Sequence, residues 1–320
     1  MQYTGATLEV YRNDRMGRAR EWARMSDPDL KREATRAARD RNVEALWSLV
    51  EAHMTLHGSS GAKASEHTLR AYQRAIKDLI GAWQGENLLR PSRDAGVSWL
   101  RQLEADGKSA STIRVKVAAA KALYAALRWA RATDAVPFAD SRPAKDKANA
   151  WDKRQPYTET ELSKLLQVAD PHDKVMLLLG AHAGLRVAEM VSLQWAEADV
   201  DLTSQRLMVR NGKGSKTRRI VISSTLAKAL AAINPDRNAS GRVLAVTSQP
   251  GAYHKMKALC ERAEVPCKGL HALRHYAGTR LAREKGIREA AEHLGHNSLE
   301  TARVYAKWDE RELEDSVGNW

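Results

Sequence analysis

"QRLMVRNGKGSKTRRIVISS", residues 205–224, is the place where the pattern of the chain changes. Two short β-like runs flank a Gly-rich turn, which reads as a hairpin. On both sides of it the apolar residues return to helical spacing. Upstream, "TETELSKLLQVA" (158–169) opens on a capping signal at Thr158 and Glu161, and helical pattern continues through "KVMLLLGAHAG" (174–184) and "RVAEMVSLQW" (186–195). Downstream, helices follow to the end. The fold class expected is mainly α with a small β-hairpin or sheet in the second domain.

Further out, "VPFADSRPAKDKANAWDKRQP" (136–156) combines three prolines with scattered charge and no periodicity. It reads as an extended basic linker. Before it no strand pattern appears. "EHTLRAYQRAIKDLIGAW" (66–83) sets Leu69, Tyr72, Ile76, Leu79 and Trp83 at steps of three and four. "DAGVSWLRQLEADG" (94–107) is a second helix, and "SASTIRVKVAAAKALYAALRWA" (109–130) a third, started by a Ser/Thr cluster. "VEALWSLVEAHM" (43–54) carries Leu46, Leu49, Val50 and Met54 on one face, and "HGSSGAKAS" (57–65) is a turn-rich break. The expected division is a helical extension over 1–58, a helical domain over 62–135, the linker over 136–156, a second domain over 157–308 and a tail over 309–320.

The chain has 320 residues, 52 Lys and Arg against 39 Asp and Glu, and a net charge of +13. That excess points to a polyanionic partner, with nucleic acid foremost. Aromatic residues make up only 6% of the chain, with one Phe, which argues against a platform for stacking single strands. No long apolar run suggests a membrane span, and the first residues lack the apolar core of a signal peptide. A cytoplasmic, nucleoid-associated protein is expected. Cys260 and Cys267 lack a second pair and read as two buried thiols rather than a zinc site or disulfide framework.

Four stretches of the second domain carry chemistry. "AHAGLRVAEMVSL" (181–193) has Arg186 just after a glycine and Glu189 one turn later. "NGKGSKTRR" (211–219) has Lys213 and Lys216 in the hairpin turn. "GLHALRHYAGTRL" (269–281) has His271 and Arg274 on one helix face. "LGHNSLETARVY" (294–305) has His296 and, nine positions on, Tyr305. Asn297 and Glu300 give a capping-type start to the helix carrying Tyr305, so one short element delivers both side chains.

Taken together, in this order and spacing, these stretches resemble the tyrosine recombinase (phage integrase) family, of the Xer and integrase type. "GLRxxE", "GKGxKxR", "HxLRH" and "LGHxSLxTxxxY" all stand in this sequence. The resemblance is close over 157–308. It extends more loosely to the helical domain as a core-binding domain, best in "STIRVKVAAAKALYAAL" (111–127). It implies a helical core-binding domain and a mixed α+β catalytic domain. The activity it implies is site-specific recombination through a phosphotyrosyl intermediate, free of metal and cofactor, on double-stranded DNA with a specific site. It implies a tetramer on two duplexes, with the tail after Tyr305 docking on a neighbour and room for an accessory protein. A type IB topoisomerase and a catalytically silent DNA-architectural protein are the alternatives.

The chemistry of the residues fits those roles. Arg186 and Arg274 offer fork-shaped donors to the non-bridging oxygens of a phosphodiester. Tyr305 supplies a nucleophile favoured by nearby cations. His271 moves a proton, and His296 bonds the phosphate in its neutral form. The resemblance marks Lys213 of GKG, set between two glycines, as the general acid for the leaving 5′-oxygen, with Lys216 on a neighbouring phosphate. Glu189 orients a basic partner, unless it is a plain surface acid. Arg114, Lys121 and Arg128 recur every seven residues as one basic stripe, for DNA or simply for solvent.

Overall fold

The computed structural model describes residues 5–144, 155–196, 199–210, 217–236 and 238–295, with side chains from Asp14 onward. The chain divides into two units, residues 1–147 and 148–320.

The first unit is helical. It comprises α1 (Gly5–Arg24), α2 (Asp27–Arg39), α3 (Val43–His57), α4 (Glu66–Ala82), α5 (Ala95–Ala105) and α6 (Ala110–Trp129). Short polar side chains start these helices by accepting a backbone N–H of the first turn: Ser26 for α2, Asn42 for α3, Ser65 for α4 and Ser109 for α6. The spacing read along 66–83 holds, with Leu69, Ile76, Leu79 and Trp83 all buried. The segment 1–58 does not stand apart. Leu30, Ala34, Leu46, Leu49 and Val50 share one core with Ile76, Leu79, Leu123 and Leu127. Arg15 is buried and fixes α1 by donating to the carbonyls of Gly61, Ala62 and Ala64.

The start of the expected linker also belongs to this core. Phe138 is 1% exposed. It stacks on Trp83 with centroids 5.5 Å apart and meets the rings of Trp99 and Tyr124, each at 5.8 Å. Aromatic contacts of this kind add to plain burial.

The second unit runs α7 (Glu159–Val168), α8 (Pro171–Ala181), α9 (Val187–Ser192), β1 (Val200–Asp201), β2 (Arg206–Val209), β3 (Arg218–Val221), α10 (Ser224–Ile233), α11 (Gln249–Arg262), α12 (Leu270–Lys285) and α13 (Ile287–Leu294). The capping box at Thr158 and Glu161 is formed. Helix α8 is the hub: Val175 to Ala181 are all buried, and it packs on α10 and α12. The sheet is antiparallel in the order β1-β2-β3, with Leu207 opposite Ile220 and Val209 opposite Arg218. Leu207, Val209 and Ile220 face the core while Arg219 and Val221 face out. The expected hairpin is therefore present, with a two-residue strand added at its edge.

Two expectations need correction. The helix expected over 186–195 stops at Ser192, because Leu193 turns extended and its carbonyl accepts from Val243 N at 2.9 Å. Trp195 N then donates to Gly241 O at 2.7 Å. Of the two cysteines, Cys260 is buried on α11, but Cys267 is exposed in the loop before α12. No described helix is long and apolar enough to cross a membrane.

Candidate active site

Arg186 sits at the N-cap of α9, and Glu189 occupies the third position of that helix. The Glu189 carboxylate reaches back to accept from Arg186 N at 2.8 Å and from the Arg186 guanidinium at 3.0 Å. It also takes a two-pronged bond from Arg218, 2.9 Å to each oxygen. Its side chain is 4% exposed, against 26% for Arg186 and 15% for Arg218. Burial alone would raise the Glu189 carboxyl. The bonds from Arg218 and the Arg186 amide, with both positive charges, overturn that and hold it at about 2. Glu189 is thus not a surface acid. It is an anion at neutral pH that fixes two arginines.

Arg274, on the second turn of α12, is 1% exposed. It donates to the carbonyls of Gly184 and Leu294, the latter at 2.7 Å. These two carbonyls lie just before Arg186 and just before the Gly295–His296 pair. Arg274 therefore ties the two motifs together from below, in addition to any part it takes in binding phosphate. Gly184 permits the close approach. It has φ +64°, and a Cβ there would lie 2.2 Å from Leu294 Cδ2.

His271 is exposed on the first turn of α12, and its ring meets that of buried His275 edge-on at 4.8 Å. Helix α13 ends on Gly295 in the left-handed conformation, φ +66°. The His293 ring on the last turn is held below the ordinary imidazole value by burial and by the charge of Arg218. A bond to the Ala183 carbonyl works the other way, and Arg274 adds a further lowering. His293 therefore stays neutral near pH 7, and its Nε2 is buried without a hydrogen-bond partner among the described residues.

Arg186, Glu189 and Arg274 are thus brought together with the turn that precedes His296. Lys213, Lys216, His296, Tyr305 and the tail over 309–320 lie outside the described residues. On α6, Arg114 and Lys121 are exposed, but Arg128 is partly buried and donates to Ala135 O at 3.0 Å. Arg128 serves the end of its own helix, so the basic stripe is shorter than its spacing suggests. No group of three or more His, Cys, Asp or Glu suited to a metal ion occurs among the described residues.

Sequence reading gave no role to Arg218, although it closes the "GKGxKxR" stretch, and missed His293. A signal existed for the first. In a strand, alternate residues share a face, so Arg218 falls on the inward side with Ile220. His293 offered none, since only the fold brings Arg218 and Arg274 beside it.

Comparison with known proteins agrees with this geometry. The profile described as "Phage integrase family" matches residues 156–312, and "Phage integrase, N-terminal SAM-like domain" matches 59–131. Tyrosine recombinase XerA of Thermococcus kodakarensis is 28% identical over 270 residues, 80% of this chain and 88% of that protein. Tyrosine recombinase XerC of Xanthomonas axonopodis pv. citri is 29% identical over 280 residues, 78% of this chain and 89% of that protein. Among solved structures, XerH site-specific recombinase bound to a palindromic difH substrate has a TM-score of 0.64 at 16% identity, over 98% of this chain and 96% of that one. A lambda integrase tetramer bound to a Holliday junction has a TM-score of 0.66 at 17% identity, over 81% and 76%. The structural likeness is one of fold. With both profiles, the recombinase relatives and the converging motifs, the chain belongs to the phage integrase family and is a tyrosine-type site-specific recombinase.

Proposed function

We propose that this recombinase cuts and rejoins double-stranded DNA at a specific site by direct attack of Tyr305 on a phosphodiester. One observation carries the reading. Arg186 and Glu189 come from one stretch and Arg274 from another, and the contacts of Arg274 join the turn before Arg186 to the turn before His296. A partly exposed Arg186 side chain, held by a buried carboxylate, is suited to a non-bridging phosphate oxygen. His271 is exposed on the first turn of α12, one turn before Arg274.

In the proposed step the Tyr305 oxygen bonds to phosphorus and gives its proton to His271. The bond from phosphorus to the 5′-oxygen breaks, and that oxygen leaves with a proton from Lys213. The 3′-phosphotyrosyl ester keeps the bond energy of the cut strand. A 5′-hydroxyl from a second duplex reverses the attack, so strands exchange without ATP. Arg186, Arg274 and His296 hold the phosphate, and Lys216 holds a neighbour. Arg114 and Lys121 contact backbone phosphates from the helical unit. The protein works as a tetramer on two duplexes in the cytoplasm, on nucleoid DNA, with the tail after Tyr305 docking on a neighbour. The job is integration or excision of a mobile element, or resolution of dimers. The recombinase relatives weigh against a topoisomerase or a silent architectural protein.

The test is a denaturing gel after incubation with a nicked duplex carrying the site. Wild type should give a slow-migrating protein–DNA band. Tyr305→Phe should bind that DNA with near-unchanged affinity and give none. A band from the Phe variant removes Tyr305 as nucleophile.

A further inference from the structure

Arg218 begins β3, where its backbone pairs with Val209 at the end of β2. The chain between these strands, residues 211–216 with Lys213, lies outside the described residues. The Arg218 guanidinium grips both oxygens of Glu189, 2.9 Å to each. One of those oxygens, Oε1, also receives the Arg186 guanidinium at 3.0 Å. Any rotation of the carboxylate therefore moves Arg186, and Arg218 blocks that rotation because a planar fork bonds two oxygens at once.

The other side of the same side chain supports the turn before His296. A Cβ on Gly295 would lie 2.8 Å from Arg218 Cδ and 3.1 Å from its Nε. The glycine backbone thus rests directly on the arginine. Arg218 Nε is buried with no hydrogen-bond partner among the described residues, as expected of an atom covered by that contact. The side chain is 15% exposed.

We infer that Arg218 is a positioning residue: one side chain that holds Arg186, the β2–β3 pairing at Val209 and Gly295 in a common frame. It acts through Glu189 and Gly295 and does not itself bind the reacting phosphate. The inference rests on the proposed roles of Arg186, Lys213 and His296.

The experiment uses the full chain with Arg218→Met, Arg218→Lys, Glu189→Gln and the Arg218→Met/Glu189→Gln double variant. It measures adduct formation at saturating DNA, DNA affinity, and amide exchange over 184–190 and 292–295 in the free protein. Arg218→Met should slow adduct formation about 10²-fold, the scale of a small misplacement of reacting groups. Affinity should stay within about threefold, because the loss is in geometry rather than binding. Exchange should rise about tenfold in both segments, since both lose one support. Arg218→Lys keeps the charge without the fork and should fall between wild type and Arg218→Met. It also carries the test should the Met variant fail to fold. The double variant should be no slower than the slower single variant.

Wild-type rate and exchange in Arg218→Met overturn the inference. So does a loss confined to affinity, which would make Arg218 a phosphate ligand, or losses that multiply in the double variant. If wild type forms no adduct on any DNA, the recombinase mechanism falls, and the exchange measurements still decide the positioning role.

Discussion

Phe138 in the helical unit and Glu189 in the catalytic unit are both buried, and they hold their surroundings in different ways. Phe138 fills space among Trp83, Trp99 and Tyr124. Its contribution is non-directional, and neighbouring rings can shift to cover part of a loss. Glu189 carries a charge inside the protein, and its two oxygens are matched to Arg218 and Arg186. Such a cluster is an expensive way to gain stability, because each ion gives up its water. Its place between Arg186 and Arg218, against which Gly295 packs, argues that what it secures is placement. Buried charge recurs nearby in Arg274, whereas the helical unit buries Arg15 and Glu51 only along α1 and α3.

Glu189→Ala tests the directional side most severely. It leaves two arginines facing a site from which their anion is gone. The expected loss is about 3–5 kcal/mol of stability in the catalytic unit, together with near-complete loss of DNA cleavage. Chemical denaturation and adduct formation on the same preparation measure both. Phe138→Ala tests the other side. It should cost about 3–5 kcal/mol in the helical unit, yet DNA already bound should be cleaved at close to the wild-type rate. Equal loss of cleavage rate in both variants would erase the distinction drawn here.

Acid provides a milder test. The Glu189 carboxyl lies at about 2 in the folded protein, well below the ~4.3 of a free side chain. The stability it contributes is fully present above ~4.3 and is lost as pH falls through 2. The amount is on the order of 3 kcal/mol. Unfolding curves between pH 5 and 2 should show this slope in wild type and lack it in Glu189→Gln. The same slope in both proteins would place the acid sensitivity elsewhere.

How much of this was legible depends on the range of the interaction. Helices α3 to α6 could be read because their apolar spacing is local, and the box at Thr158 and Glu161 spans one turn. The hairpin could be read from alternation on both sides of a glycine pair. Strand β1 could not, since two residues carry no period. Phe138 looked like linker, because nothing nearby in sequence shows that Trp83 and Trp99 wait for it. Arg128 kept its seven-residue spacing, but the carbonyl it bonds lies beyond the helix, at Ala135. The site divides in the same way. Residue types and order pointed to Arg186, His271 and Arg274. That Arg274 is buried on Gly184 and Leu294, and that Arg218 is spent on Glu189, depends on partners 20 to 90 residues away.

The most direct measurement of the central claim is the site of covalent attachment. Wild-type protein is incubated in EDTA with a nicked duplex carrying its site. The adduct is trapped and digested with nuclease and trypsin, then sequenced by mass spectrometry. The mechanism predicts a nucleotide on the phenolic oxygen of Tyr305, in the tryptic peptide Val304–Lys307. Attachment at another residue, or an adduct that forms only when Mg²⁺ is restored, would contradict it.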